Sequence, residues 1–130
     1  MKSAYLIIAH GSKDEGSNEA FWKFLEDFRK QYSSRWVEGA FLEMVKPSIS
    51  QGIENCIEKG ALEIFVIPLM LFPGRHVKDD IPRLIQESKA KFPAIDFHYA
   101  GPLSEKTSLA EVVEQKAKAM KAKNHGSLRR

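Results

Sequence analysis

Strand-like and helix-like segments alternate four times along this chain, and that alternation predicts an open, doubly wound α/β domain built on a parallel four-stranded sheet flanked by helices. Two further observations support it. The best strand candidates are short, unbroken apolar runs, as expected of strands covered on both faces. Each intervening stripe is long enough to carry a right-handed crossover between parallel strands, and four strands are too few to close a barrel of the eight-stranded kind.

Taken in order, Tyr5-Leu6-Ile7-Ile8-Ala9 is the first apolar run, and Phe21, Phe24, Leu25 and Phe28 then recur at helical spacing. Val37 to Leu42 reads as a weaker strand, with Glu38 and Gly39 inside it. Ile49, Ile53, Cys56 and Ile57 mark a second helix; Pro47 suits its first turn and Lys59-Gly60 ends it. Ile64-Phe65-Val66-Ile67 is the clearest strand. Ile81, Leu84, Ile85 and Ser88 give a third helix, with Asp79 or Asp80 as cap and Pro82 in the first turn. Ile95 to Ala100 is the fourth strand, and Leu109, Val112, Val113, Ala117 and Met120 stripe a last helix. The layering is flavodoxin- or Rossmann-like.

A chain of 130 residues, 43% hydrophobic and 28% charged, is one ordinary globular domain; we expect it to occupy residues 1–123, with 124–130 a disordered basic tail. Met1 to Ala9 lacks the form of a signal peptide, and no stretch approaches the roughly 20 apolar residues that span a bilayer. Cys56 is the single cysteine, so no intrachain disulfide forms. The expectation is a cytoplasmic protein without a membrane partner. The net charge of +3 invites a nucleic-acid reading, but the stretch beyond position 115, the end of the last helix and the tail, holds six basic residues and no acidic one. The preceding residues carry 14 basic against 17 acidic side chains, so nucleic acid is not expected as a partner.

Ligands of open parallel sheets bind at the carboxyl ends of the strands. His10-Gly11-Ser12 follows the first strand, Leu42-Glu43-Met44 ends the second, Phe72-Pro73-Gly74-Arg75-His76 follows the third and Gly101-Pro102 the fourth. Two histidines and a carboxylate are therefore expected on one edge. Imidazole suits borderline divalent ions, and two histidines with one carboxylate leave coordination positions open, which is a catalytic arrangement. Histidine and glutamate also take up protons near neutral pH. Gly11 and Gly74 are expected to serve the backbone through positive φ or close approach of a ligand. Neither G-x-G-x-x-G nor a Walker sequence is present, so no nucleotide is expected. Cys56 reads as core, His98 as structural, and Trp22 and Trp36 as partly buried packing residues. Met44 and Met70 to Phe72 read as pocket lining or as core filling.

Ala9-His10-Gly11-Ser12, Phe41-Leu42-Glu43, Lys46-Pro47-Ser48-Ile49 and the long run from Ile67 to Pro82 resemble the short, single-domain sirohydrochlorin chelatases of the CbiX type, over about residues 4–103. The resemblance implies a chelatase-like fold and a lyase that inserts a divalent metal, cobalt foremost with nickel or iron as alternatives, into sirohydrochlorin in tetrapyrrole and cobalamin biosynthesis, without nucleotide hydrolysis. It implies that His10 and His76 bind the metal and assist deprotonation, that an acidic residue stands at Glu43, and that the protein is a homodimer. Lys13 stands where the family often has arginine, and the histidine-rich segment of some relatives is missing.

On this reading the catalytic residues are His10, His76 and Glu43. Arg75, Lys78, Lys13 and Lys46 are placed to engage the eight carboxylates of the ring, with Ser12 and Gly74 beside them. The rival readings are a tetrapyrrole or metal carrier with the same pocket and no turnover, and a phosphate-handling enzyme with a histidine nucleophile. The second has little support, because no further arginine-histidine pair accompanies Arg75-His76.

Overall fold

The computed structural model describes residues 2–99, 101–103 and 108–123. The expected tail 124–130, with His125, and the expected strand end Ala100 lie outside them. The elements are β1 (Ser3–Ala9), α1 (Glu15–Gln31), β2 (Val37–Phe41), α2 (Ile49–Glu58), β3 (Glu63–Pro68), α3 (Arg75–Lys91), β4 (Asp96–Tyr99) and α4 (Ser108–Lys123). The strands form one parallel sheet in the order β2-β1-β3-β4. The chain thus winds one way from β1 to β2 and the other way from β3 to β4. Right-handed crossovers then place α1 on one face of the sheet and α2 and α3 on the other. The order reverses between β1 and β3, whose carboxyl ends flank the crevice where open α/β sheets take ligands.

Alternation along the strands fills both faces. Leu6, Ile8, Ala40, Ile64 and Val66 point toward α2 and α3, where Ile49, Ile53, Cys56 and Ile81 close the larger core. Ile7, Val37 and Phe41 meet Phe21 and Leu25 of α1 in a second cluster. Gly39 keeps β2 thin enough for α1 to lie against it: a Cβ there would overlap the Leu25 side chain and crowd Trp22.

Helix starts show how local chemistry differs from the expectation. Ser48 caps α2, with Gln51 completing a capping box, so Pro47 stands before the cap rather than in the first turn. The third helix begins much earlier than expected. Gly74 is the N-cap of α3, and Asp79, Asp80 and Pro82 all lie within the helix. Pro82 withdraws the N–H that would have reached the Lys78 carbonyl, and the helix continues past that gap to Lys91. Gly74 has φ −69 and faces open space, so the expected need for positive φ is absent there.

Cys56 is fully buried, and burial, followed by the nearby charge of Glu38, pushes its thiol up from 9.0 to about 12. A thiol whose pKa rises on folding supports the fold while it is neutral. That contribution is complete below pH 9.0 and is lost between pH 9.0 and about 12. The expected result is that a thiol reagent at pH 8 labels Cys56 only as fast as the chain unfolds, and that stability declines through the alkaline range. Rapid native-state labelling would contradict this burial.

Candidate active site

The site is assembled by backbone pairing that continues past the strands. Beyond β1 and β2, the Leu42 N–H donates to the Ala9 carbonyl at 2.9 Å and the Glu43 N–H to the His10 carbonyl at 3.1 Å. These two bonds set Glu43 beside His10, and the imidazole Nε2–H donates to Glu43 Oε2 at 3.0 Å. Gly11 follows with φ 96, and a Cβ on it would overlap the Glu43 carbonyl. Only glycine permits this approach of the two loops.

Each loop is then pinned from behind. Asn18 of α1 accepts from the Ser12 N–H at 3.1 Å and donates to the Ser12 carbonyl at 2.8 Å. The Ser12 hydroxyl accepts from the Asp14 N–H at 3.0 Å, and Asp14 caps α1 through the Gly16 N–H. Ser12 therefore holds the histidine loop to the helix. On the other side the Val45 N–H donates to the Glu43 carbonyl at 2.8 Å around Met44, which has φ 70. This is a γ-turn with its middle residue at positive φ, a rare and strained form. It bends the chain sharply just after Glu43. The Lys46-Pro47 peptide is cis, and the Pro47 carbonyl accepts from the Phe41 N–H at 2.8 Å, closing the loop against β2.

His76 also stands beyond a carboxyl end, that of β3, but in the first turn of α3 and not in a loop. Its Nε2 lies 3.0 Å from Asp80 Oδ2, one helical turn on, as an ion pair when the ring is protonated. Arg83 holds the other oxygen of Asp80 at 3.1 Å, which fixes the carboxylate in place. Asp80 is a candidate site residue outside the sequence reading, which offers Asp79 or Asp80 as a helix cap. The i,i+4 spacing from His76 was its signal.

Among the described residues no three histidine, cysteine or carboxylate side chains converge to hold a metal ion. His10, Glu43 and His76 follow the carboxyl ends of β1, β2 and β3, the edge expected of them; His10 pairs with Glu43, and His76 pairs with Asp80. In both pairs it is Nε2 that faces the carboxylate, so Nδ1 is the ring nitrogen turned away from it. That is how a metal-binding histidine is commonly prepared: a carboxylate on the far nitrogen fixes the tautomer and ring orientation and strengthens the donor.

Around the pairs lie exposed cations and exposed apolar groups. Lys13, Lys46, Arg75 and Lys78 are all exposed and make no ion pair among the described residues. Met44, Leu71 and Phe72 are exposed as well, Phe72 at 81%, while Met70 is buried as core. A flat apolar molecule edged with negative charge suits such a border. His98 lies away from this edge. It pairs with Glu63 at 2.7 Å near the amino end of the sheet, in keeping with a structural role.

Comparisons with known proteins follow this geometry. The CbiX family model matches residues 4–120. The chain is similar to the sirohydrochlorin cobaltochelatase of Priestia megaterium, 38% identical over 115 residues, covering 88% of this chain but 37% of that protein. It is similar also to the sirohydrochlorin cobaltochelatase of Saccharolobus solfataricus, 33% identical and covering 92% of this chain and 97% of that one. Among solved structures it superposes on the sirohydrochlorin chelatase SirB from Bacillus subtilis subspecies spizizenii, in complex with cobalt, with a TM-score of 0.76 and 33% identity, over 92% of this chain and 51% of SirB. The chain thus spans about half the length of some of the proteins it matches and nearly all of others.

Proposed function

The chain belongs to the CbiX family, and from that premise we propose that it inserts a divalent metal into sirohydrochlorin without nucleotide, as one half of a homodimeric class II chelatase in the cytoplasm. The observation that carries the reading is the His10–Glu43 pair beyond the carboxyl ends of β1 and β2, on the β1 side of the crevice between β1 and β3. Cobalt is the favoured ion; nickel and iron suit the same imidazole donors.

Insertion exchanges two pyrrole N–H protons for one dication. The incoming metal is a substrate, and the imidazoles of His10 and His76 are its protein ligands, the remaining positions going to water and then to ring nitrogens. As those nitrogens coordinate, their protons need acceptors, and Glu43 stands next to the metal-binding imidazole to take them. Met44, Leu71 and Phe72 offer the macrocycle an apolar border, while Lys13, Lys46, Arg75 and Lys78 meet its carboxylates. Ser12 serves by fixing the His10 loop, and Gly74 by opening α3 without a side chain. A single four-stranded unit borders a ring of this size on one side only. That supports a second copy in the role of the other half.

The test is turnover. Purified protein with excess sirohydrochlorin and each of Co²⁺, Ni²⁺ and Fe²⁺, the last without oxygen, is followed by the absorbance of the metallated ring. Many equivalents of product per chain are expected, fastest with cobalt. Uptake that stops at one equivalent per site would identify a carrier instead.

A further inference from the structure

The two faces of the sheet are unequally covered. α2 and α3 close one face, while α1 packs over β1 and β2 only on the other. The remaining half of that second face opens into a cavity of about 670 Å³ lined by Tyr5, Phe65, Ile67, Phe97 and His98 among others. Phe65 stacks on His98 at 4.5 Å and meets Tyr5 edge-on at 5.6 Å, so the floor is aromatic and set. The amino end of this face is acidic. Glu63 accepts from the Ser3 hydroxyl at 2.6 Å and from His98 at 2.7 Å, which lowers its pKa, and Asp96 stands beside it in register.

The same chain carries a helix with an unmet surface of matching character. α4 spans 16 residues, and its side chains from Ala110 to Lys121 are all exposed. Val112, Val113, Ala117 and Met120 share one stripe, and Lys116, Lys118 and Lys121 follow in its second half. Helices of this length are marginal in water unless an apolar face is packed. Among the described residues of one copy, neither the stripe nor the aromatic half-face has a helix packed against it.

We propose that α4 of a second copy of this chain lies across the aromatic half-face, each copy giving one helix and receiving one about a two-fold axis. The inference rests on the homodimer reading above and names its interface. Reciprocal exchange meets both deficits with one closed, self-complementary contact. Running antiparallel to the strands, the helix sets Val112 and Val113 over Phe65 and Ile67, and brings its lysines to Glu63 and Asp96. The charges thus fix the direction in which it lies.

The experiment uses cysteine pairs on the full chain, whose native thiol is buried. Copies carrying Val113→Cys and copies carrying His98→Cys, with tags of different size, are mixed and treated with a short bis-maleimide. Asp96→Cys provides a second target should the His98 variant fold poorly. The expected result is a cross-link between the two tagged species, and cross-linked dimers from the double variant Val113→Cys/His98→Cys. Val112→Lys with Val113→Lys should raise the dimer dissociation constant by more than about tenfold in sedimentation. An intrachain cross-link in the double variant means that α4 folds back on its own sheet, and overturns the inference. A dimer that forms no such cross-link also overturns it, while leaving the homodimer standing. A monomer at micromolar concentration removes both, and turnover measured on that monomer judges the chelatase reading separately.

Discussion

His10→Ala is expected to lower the rate of the proposed metal insertion into sirohydrochlorin by about 10²–10⁴, the usual effect of losing a positioned proton-transfer group, and to leave the thermal melt where it was. The imidazole is 52% exposed and its only hydrogen bond among the described residues goes to Glu43, itself 53% exposed, so removal takes little from packing. On the proposed mechanism, what it takes is a metal ligand and the group that holds the Glu43 carboxylate in place. Glu43→Gln keeps the shape but loses the charge, and belongs in the same series. If His10 and Glu43 act as a unit, the double variant is barely slower than His10→Ala alone. The measurement is the turnover number with cobalt for each variant, beside its melting curve. An His10→Ala protein that melts normally and turns over at nearly the native rate would displace His10 from the chemistry.

Gly11→Ala damages both stability and rate. An alanine at φ 96 is strained in any surroundings, and here its methyl would also overlap the Glu43 carbonyl. The backbone strain alone costs about 1–3 kcal/mol, and relief of the overlap requires the β1 and β2 loops to part. A fall in Tm on the order of 10 °C is expected for a domain of this size, with insertion slowed as Glu43 moves off His10. Gly60 supplies the control. It has φ 102, but a Cβ there meets only the far end of the Lys2 side chain, at 3.6 Å or more. Gly60→Ala should therefore lower Tm by the strain alone and leave turnover unchanged. Equal turnover in the two variants would separate Gly11 from the site.

Much of this was readable because strand and helix impose different periods on the same apolar residues. Ile64 to Ile67 and the stripe Ile49, Ile53, Cys56 admit one interpretation each, and placement after a strand was enough to single out His10 and Glu43. The start of α3 was hidden. Gly74 offers no capping side chain, so Pro82 with Asp79 and Asp80 imitates a helix beginning five or six residues too late. That one displacement also concealed the His76–Asp80 pair, which exists only if both residues lie on a helix. The γ-turn at Met44 was hidden for another reason. Methionine has no preference for positive φ, and the turn is imposed by the pairing of Glu43 with His10 and of Phe41 with Pro47.

The strand order has a consequence in time. β1 precedes the other three strands of this sheet in synthesis, yet it lies inside the sheet, paired on one side with Val37–Phe41 and on the other with Glu63–Pro68. Until the ribosome has released residue 68, the apolar run Tyr5–Ala9 lacks one of its two neighbours. At ordinary elongation rates of about 5–20 residues per second, that interval lasts several seconds. During it the nascent chain presents an unpaired apolar edge, the kind of segment that associates with other chains. The same topology orders the assembly of the site. Glu43 reaches His10 as soon as β2 docks, while His76 waits for β3, so the two histidine–carboxylate pairs mature one after the other on the growing polypeptide.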